Sequence, residues 1–216
     1  MYAERMSLDE TYTRTALNRL RVASVLDSLA TEQWDTMSLC AGWTVRHVAA
    51  HLVQPMLVGF TRFFATSLRY RGDTAATVNH LTGKIAGRQP GELIDLLREH
   101  AYDRVNPPRV GPMGPFAETC IHLRDIALPL ALDANVPLDD WHQLLIYLCS
   151  TDVAPSLVPR QRVDGLRLRA TDISWRHGSG PEVTGTAEAI AMTITGRSVA
   201  LADLHGPGTS ILSSRI

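Results

Sequence analysis

The sequence predicts an α+β protein, with a helical first part followed by a small α+β unit. Two observations predict this. Through about residue 150, apolar residues recur at helical spacing between capping residues, glycines and prolines. After Thr151, short strand-like pieces surround one helical run, Ala187 to Thr195. The change of character places a boundary near residue 155, giving domains 1–154 and 155–216.

Ser7-Leu8-Asp9-Glu10 has the form of a capping box. The helix it opens is expected to reach about Leu29, with Tyr12, Ala16, Leu20, Ala23 and Leu26 or residues near them inward. Thr31 to Met37 reads as a short helical turn. Thr44 is a good N-cap, and a helix follows it towards Phe64 with Val45, Val48, Ala49, Leu52 and Met56 on one apolar arc. Pro55 removes a backbone donor, so a kink is expected just beyond His51.

Asp73 can cap a third helix to about Ala86, and a fourth runs through Leu93, Leu96, Leu97 and Tyr102 to near Val105. The stretch Pro107 to Pro115, PPRVGPMGP, reads as an ordered loop or a lid. Pro115 suits the first position of the next helix, which Pro129 ends or bends. A last helix of this part covers Leu138 to Cys149. In the second part, Leu166 to Ala170 alternates in strand fashion, Trp175 and Val183 fall in extended pieces, and Val199-Ala200-Leu201 reads as a strand.

The composition is ordinary: 45% of the 216 residues are hydrophobic and 20% charged, with a net charge of −1. That balance argues against a nucleic-acid footprint or a broad basic membrane patch. Three cysteines without a CxxC suggest reduced thiols in a cytoplasm. The first ten residues, MYAERMSLDE, carry charge where a signal peptide needs an apolar run, so a soluble intracellular protein is expected. The single lysine, Lys84, against many arginines suits a high-GC bacterial genome.

Chemistry concentrates in two helices. Glu118 and His122 are four residues apart and Asp125 is seven from Glu118, so all three share one stripe. A carboxylate and an imidazole one turn apart can reach the same ion, and His51 on a facing helix can complete a three-ligand site. Two nitrogens and an oxygen suit zinc with a position left open, and also suit nickel or iron. Alternatively, His51 is a packed core histidine and Glu118/His122 a solvated pair. His47 is four residues before His51, so a rival pairing of these two is also open. Cys40 precedes the second long helix, either as a packed thiol or as one whose thiolate is favoured there. Trp43 is expected to pack the turn before that helix and Trp175 to pack the second domain.

The segments LCAGWTVRHVAAHL (Leu39–Leu52) and ETCIHLRD (Glu118–Asp125) resemble the mycothiol-dependent maleylpyruvate isomerase family. RLRATDISW, GPEVTGTAEAI, TGR and LADLHGPG resemble the small domain that follows in the same group. The resemblance implies a DinB-like up-down four-helix bundle with extra helices, then a small sterol-carrier-like α+β domain. It implies metal ligands at His51, Glu118 and His122, zinc as the usual metal, and mycothiol as thiol cosubstrate. Asp125 is then a group that orients a ligand or cofactor, with an exposed helix charge as the alternative, and Arg197 resembles a substrate-carboxylate arginine, with a surface salt-bridging role as the alternative.

The expected activity is a thiol-dependent isomerisation or S-transfer on a small electrophile, in a monomer or homodimer, with neither nucleic acid nor membrane as partner. The rival expectation is a non-catalytic metal-containing protein that binds or senses a thiol or lipid-like ligand.

Overall fold

The computed structural model describes residues 5–108 and 110–216. Arg109, inside the expected loop, lies outside the described residues. The chain divides into two compact units, one built on Leu8–Pro107 and Gly114–Asn135, the other mainly on Val136–Ile216. The protein is α+β: helices make up the first unit, and the second combines helices with a three-stranded sheet.

The first unit contains α1 (Leu8–Asp27), a 3-10 turn (Thr31–Asp35), α2 (Val45–Leu57), α3 (Phe60–Arg69), α4 (Thr74–Ala86), α5 (Pro90–Glu99) and α6 (Met113–Ala127). Helix α2 packs on α4 and α5, and α1 packs on α5. Every residue of α6 from Gly114 to Ala127 is buried except Glu118, so α6 is the core helix of this unit. Phe116, Ile121, Leu123 and Ile126 fill the space around it.

The buried face of α1 is Thr11, Thr15, Ala16, Asn18, Arg19, Val22, Ala23 and Leu26. Ala16, Ala23 and Leu26 are inward as expected, whereas Tyr12 and Leu20 are only half-buried. The stripe is rotated because two threonines, an asparagine and an arginine find polar partners inside and displace larger apolar side chains from its middle. Helix α4 begins as its sequence requires, with the Asp73 carboxylate accepting from the Ala76 amide at 2.9 Å.

Three expectations are corrected. Helix α2 continues through Pro55, and the chain instead breaks at Val58 and Gly59, with 119° between α2 and α3. Gly59 is the extended N-cap of α3, and the turn there lets α3 pack on α4. The fourth helix ends at Glu99, leaving Tyr102 beyond it and exposed. Helix α6 begins at Met113, two residues before Pro115, so the irregular stretch is shorter than the sequence suggested. A first-turn proline is tolerated because its missing N–H has no helical partner there.

The second unit contains α7 (Leu138–Leu148), β1 (Arg167–Ala170), β2 (Arg176–Gly178), β3 (Glu182–Gly185), α8 (Ala187–Ile194) and α9 (Thr209–Ser213). The sheet order is β2-β1-β3, antiparallel between β1 and β2 and parallel between β1 and β3. Arg167 and Arg169 face outward while Leu168 and Ala170 are buried. Helix α8 packs on β1, β3 and α7. Trp175 is buried and stacks beside His177. Val199-Ala200-Leu201 is not a strand but part of a 3-10 turn, Ser198–Asp203, in which Ala200 alone is buried. Three residues with one inward side chain have no sheet neighbour to pair with, and the local turn closes its own hydrogen bonds.

Among the described residues, no single helix is long and apolar enough to cross a membrane. None of Cys40, Cys120 and Cys149 is in a disulfide.

Candidate metal centre

The site lies in the first unit, where a short hairpin, α2 and α6 converge. The hairpin runs from Thr36 to Val45, with the Val45 amide donating to Thr36 O at 2.9 Å and the Ser38 amide to Trp43 O at 2.9 Å. Its tip is closed by the Trp43 amide on Cys40 O at 3.0 Å, with Gly42 at φ +77°. That left-handed position is one glycine takes without steric cost. The Ser38 hydroxyl accepts from the Cys40 amide at 3.1 Å and donates to Trp43 O at 2.9 Å, bracing the tip. The Leu39 amide donates to Asp125 O at 3.2 Å and docks the hairpin on α6.

From α2, His51 brings its Nε2 to 3.6 Å from Glu118 Oε1 of α6. Its ring stands edge-on to that of His122, with centroids 5.1 Å apart. Trp43 covers another side of His51, at 5.0 Å between ring centroids, and its Nε1 donates to Asn79 Oδ1 at 3.0 Å. The structure thus brings together three of the residues singled out from the sequence, His51, Glu118 and His122. His51 Nδ1 is buried without a hydrogen-bond partner, an arrangement that proteins seldom leave unsatisfied.

Asp125 is fully buried, and its Oδ2 lies 2.8 Å from His122 Nδ1. An ionised carboxylate only accepts, so His122 donates from Nδ1 and keeps the Nε2 lone pair available. Cys40, which the sequence could not place, reaches the same carboxylate: its Sγ donates to Asp125 Oδ2 at 3.1 Å and lies 3.6 Å from His122 Nδ1. Cys40, His122 and Asp125 are close enough to form an alternative ligand set. Two of their separations, however, are hydrogen-bond lengths to one oxygen. Ligand atoms around a tetrahedral zinc sit roughly 3.2–3.8 Å apart, as follows from the usual metal–ligand distances. The 3.6 Å between His51 and Glu118 falls in that range.

Burial opposes ionisation of Glu118, yet the charge and hydrogen bond of His51, then His122 and Arg19, outweigh it and hold the carboxyl below its usual value. Arg19 is itself buried, and burial lowers its pKa against the opposing pull of Asp103 and Glu118. One nitrogen of Arg19 donates to the carbonyls of Ala101 and Asp103 at 2.9 and 2.8 Å. A cation is therefore anchored at the end of α5 and contributes to the field at Glu118.

The other two residues behave differently. His47 is turned to the start of α2, with Nδ1 2.9 Å from Thr44 Oγ1. Arg197 lies in the second unit, just after α8, with a guanidinium nitrogen donating to Thr195 O at 2.8 Å. The Arg162 guanidinium donates to the neighbouring carbonyl, Ile194 O, at 2.9 Å.

The sequence model of the mycothiol maleylpyruvate isomerase N-terminal domain matches residues 16–109. Among solved structures, the chain is similar to a crystal structure of the mycothiol-dependent maleylpyruvate isomerase, at 14% identity, TM-score 0.59 and 94% coverage of each chain. A histidine-to-alanine mutant of that enzyme matches at 14% identity, TM-score 0.57 and the same coverage. No curated protein sequence matches. Residues 16–109 thus match the mycothiol maleylpyruvate isomerase N-terminal domain, and the chain shares the α+β fold of the solved isomerase structures.

Proposed function

We propose that this protein is a thiol-dependent isomerase of the maleylpyruvate isomerase type, with mycothiol as its thiol and a divalent metal, zinc first, held by His51, Glu118 and His122. The observation that carries the reading is the convergence of these three side chains, with His51 Nε2 3.6 Å from Glu118 Oε1 and the His51 and His122 rings edge-on at 5.1 Å. The match of residues 16–109 to that domain's model and the shared fold support it. The donor set fits zinc: two imidazoles and one carboxylate, with room in the usual coordination for a further ligand. When bound, such a metal lowers the pKa of a coordinated thiol and supplies a nucleophile at neutral pH.

The protein's own contribution is orientation and exclusion of water. Asp125 fixes the tautomer and angle of His122, and Cys40, on the docked hairpin, donates to the same Asp125 oxygen. Trp43 shields His51 from one side. Arg19 adds positive charge that favours an ionised Glu118 and an anionic substrate. The substrate class is a small electrophilic alkene or carbonyl compound, carboxylate-bearing, with isomerisation preferred over S-transfer. Arg197 is proposed as the arginine that reads a carboxylate, on the sequence resemblance of its Thr195-Gly196-Arg197 turn.

Protein purified without a histidine tag should contain near-stoichiometric metal and consume maleylpyruvate only when mycothiol is present. His51→Ala and His122→Ala should lose both metal and turnover. Unchanged metal content in the double variant would overturn the ligand assignment. Full metal content with no turnover across a panel of thiols would make this a binding protein instead.

A further inference from the structure

We infer that α3 is a membrane-surface helix, seating the protein on anionic phospholipid without spanning the bilayer. Three of its large apolar residues face solvent, while Phe63 is half-buried. Phe60, Phe64 and Leu68 are 66%, 54% and 65% exposed, and among the described residues none in α3 is buried. At four-residue spacing they form one ridge about 80° wide and about 12 Å long. The Phe60 and Phe64 rings stack along it, 6.1 Å between centroids. Isolated exposed apolar residues are unremarkable, but two stacked phenylalanines and a leucine on one outward ridge have no solvent role.

From Thr36 to Gly72 every Asp, Glu, Lys or Arg position is an arginine. The sequence holds no Asp or Glu between Asp35 and Asp73, while Arg62, Arg69 and Arg71 lie in or next to α3. Arg62 and Arg69 project from the side opposite the ridge, roughly 150° from its middle by helical geometry. The net charge of −1 for the whole chain conceals this local excess. A short helix with aromatic and leucine residues on one face and arginines on the other is the pattern of an interfacial helix, with the apolar face in the acyl boundary and the cations among headgroups.

A second copy of the chain is the rival occupant, and size argues against it. The three side chains present roughly 350 Å², from the usual area of such residues. A stable interface needs about 800 Å² from each partner. A lipid surface has no such minimum, because apolar insertion and attraction to anionic headgroups add together.

The test is co-sedimentation of the full chain with vesicles of phosphatidylcholine alone or with 30% phosphatidylglycerol, at low and high salt, alongside its molar mass in solution. The expected result is binding to the anionic vesicles only, weakened at high salt. Phe60→Ser with Phe64→Ser should abolish it, and each of Arg62→Gln and Arg69→Gln should weaken partitioning about fivefold. All four positions are on the surface of α3, so circular dichroism of the variants should match the wild type. Wild-type protein left in the supernatant with anionic vesicles overturns the inference. So does a dimer that Phe60→Ser with Phe64→Ser dissociates, which would assign the ridge to self-association.

Discussion

His122 and Asp125 face each other across one turn of α6, with Nδ1 and Oδ2 2.8 Å apart and the carboxylate wholly buried. A carboxylate at Nδ1 makes that nitrogen the donor and directs the Nε2 lone pair outward. Asp125→Asn keeps the shape but can present an amide N–H, which permits the other tautomer. The expected outcome is a roughly 10- to 100-fold weaker zinc affinity, as is usual for groups that orient a metal ligand. A chelator competition would measure it, and unchanged affinity would mean that His122 is not a ligand. Secondary structure and denaturation midpoint serve as the control, since Asp125 also receives the Cys40 thiol.

The hairpin tip offers a cleaner test of how the site is positioned. Gly42 sits at φ +77°, and a methyl group there would meet no atom within 4 Å. Gly42→Ala therefore costs only backbone conformation, about 1 kcal/mol. Loss of that size in urea denaturation, with a change in the fluorescence of Trp43 against His51, is expected. If the fluorescence is unaltered, the tip does not set the position of Trp43.

Much of the first unit is legible because its signals are local. Asp73 caps α4 as a short acidic side chain before a helix should, and Glu118, His122 and Asp125 share a stripe because helical spacing requires it. The features that escaped are those decided by distant partners. Pro55 looked like the kink, yet a helix already committed on both sides accommodates it, and Gly59 provides the cheaper break. Cys40 carries no periodicity in its loop, and its role depends on Asp125, 85 positions away. Val199-Ala200-Leu201 has strand composition, but strand identity needs a neighbour that the fold does not supply.

Gln54 and Thr82 make a buried polar bond between α2 and α4, with the Thr82 hydroxyl donating to Gln54 Oε1 at 2.7 Å. Thr82 is 0% and Gln54 4% exposed. Thr82→Val preserves volume but strands the amide oxygen, so about 1–3 kcal/mol of stability should be lost. Adding Gln54→Leu removes the stranded group and should recover part of that loss. A urea-denaturation cycle on the four proteins measures the coupling. Additive single effects would show that the bond does not couple the helices.

Cys149, at the end of α7, gives a stability signature in alkali. Burial pushes its thiol up from 9.0 to about 12. As the pH rises above 9, the unfolded chain releases this proton while the native chain keeps it. The native state then binds more protons, and stability falls with pH by about 1.4 kcal/mol per unit until the native thiol also ionises. The contribution is fully present below pH 9 and is lost between 9 and about 12. Other residues titrate in the same range, so the informative quantity is the difference between the wild type and Cys149→Ala. Urea denaturation at pH 8 and pH 10 should show the wild type losing about 1 kcal/mol more than the variant. Equal losses would mean that the native thiol ionises as freely as the unfolded one. The half-buried thiol, with its raised pKa, should also be alkylated more slowly at pH 8 in the folded protein than after urea unfolds it, because the thiolate is the nucleophile.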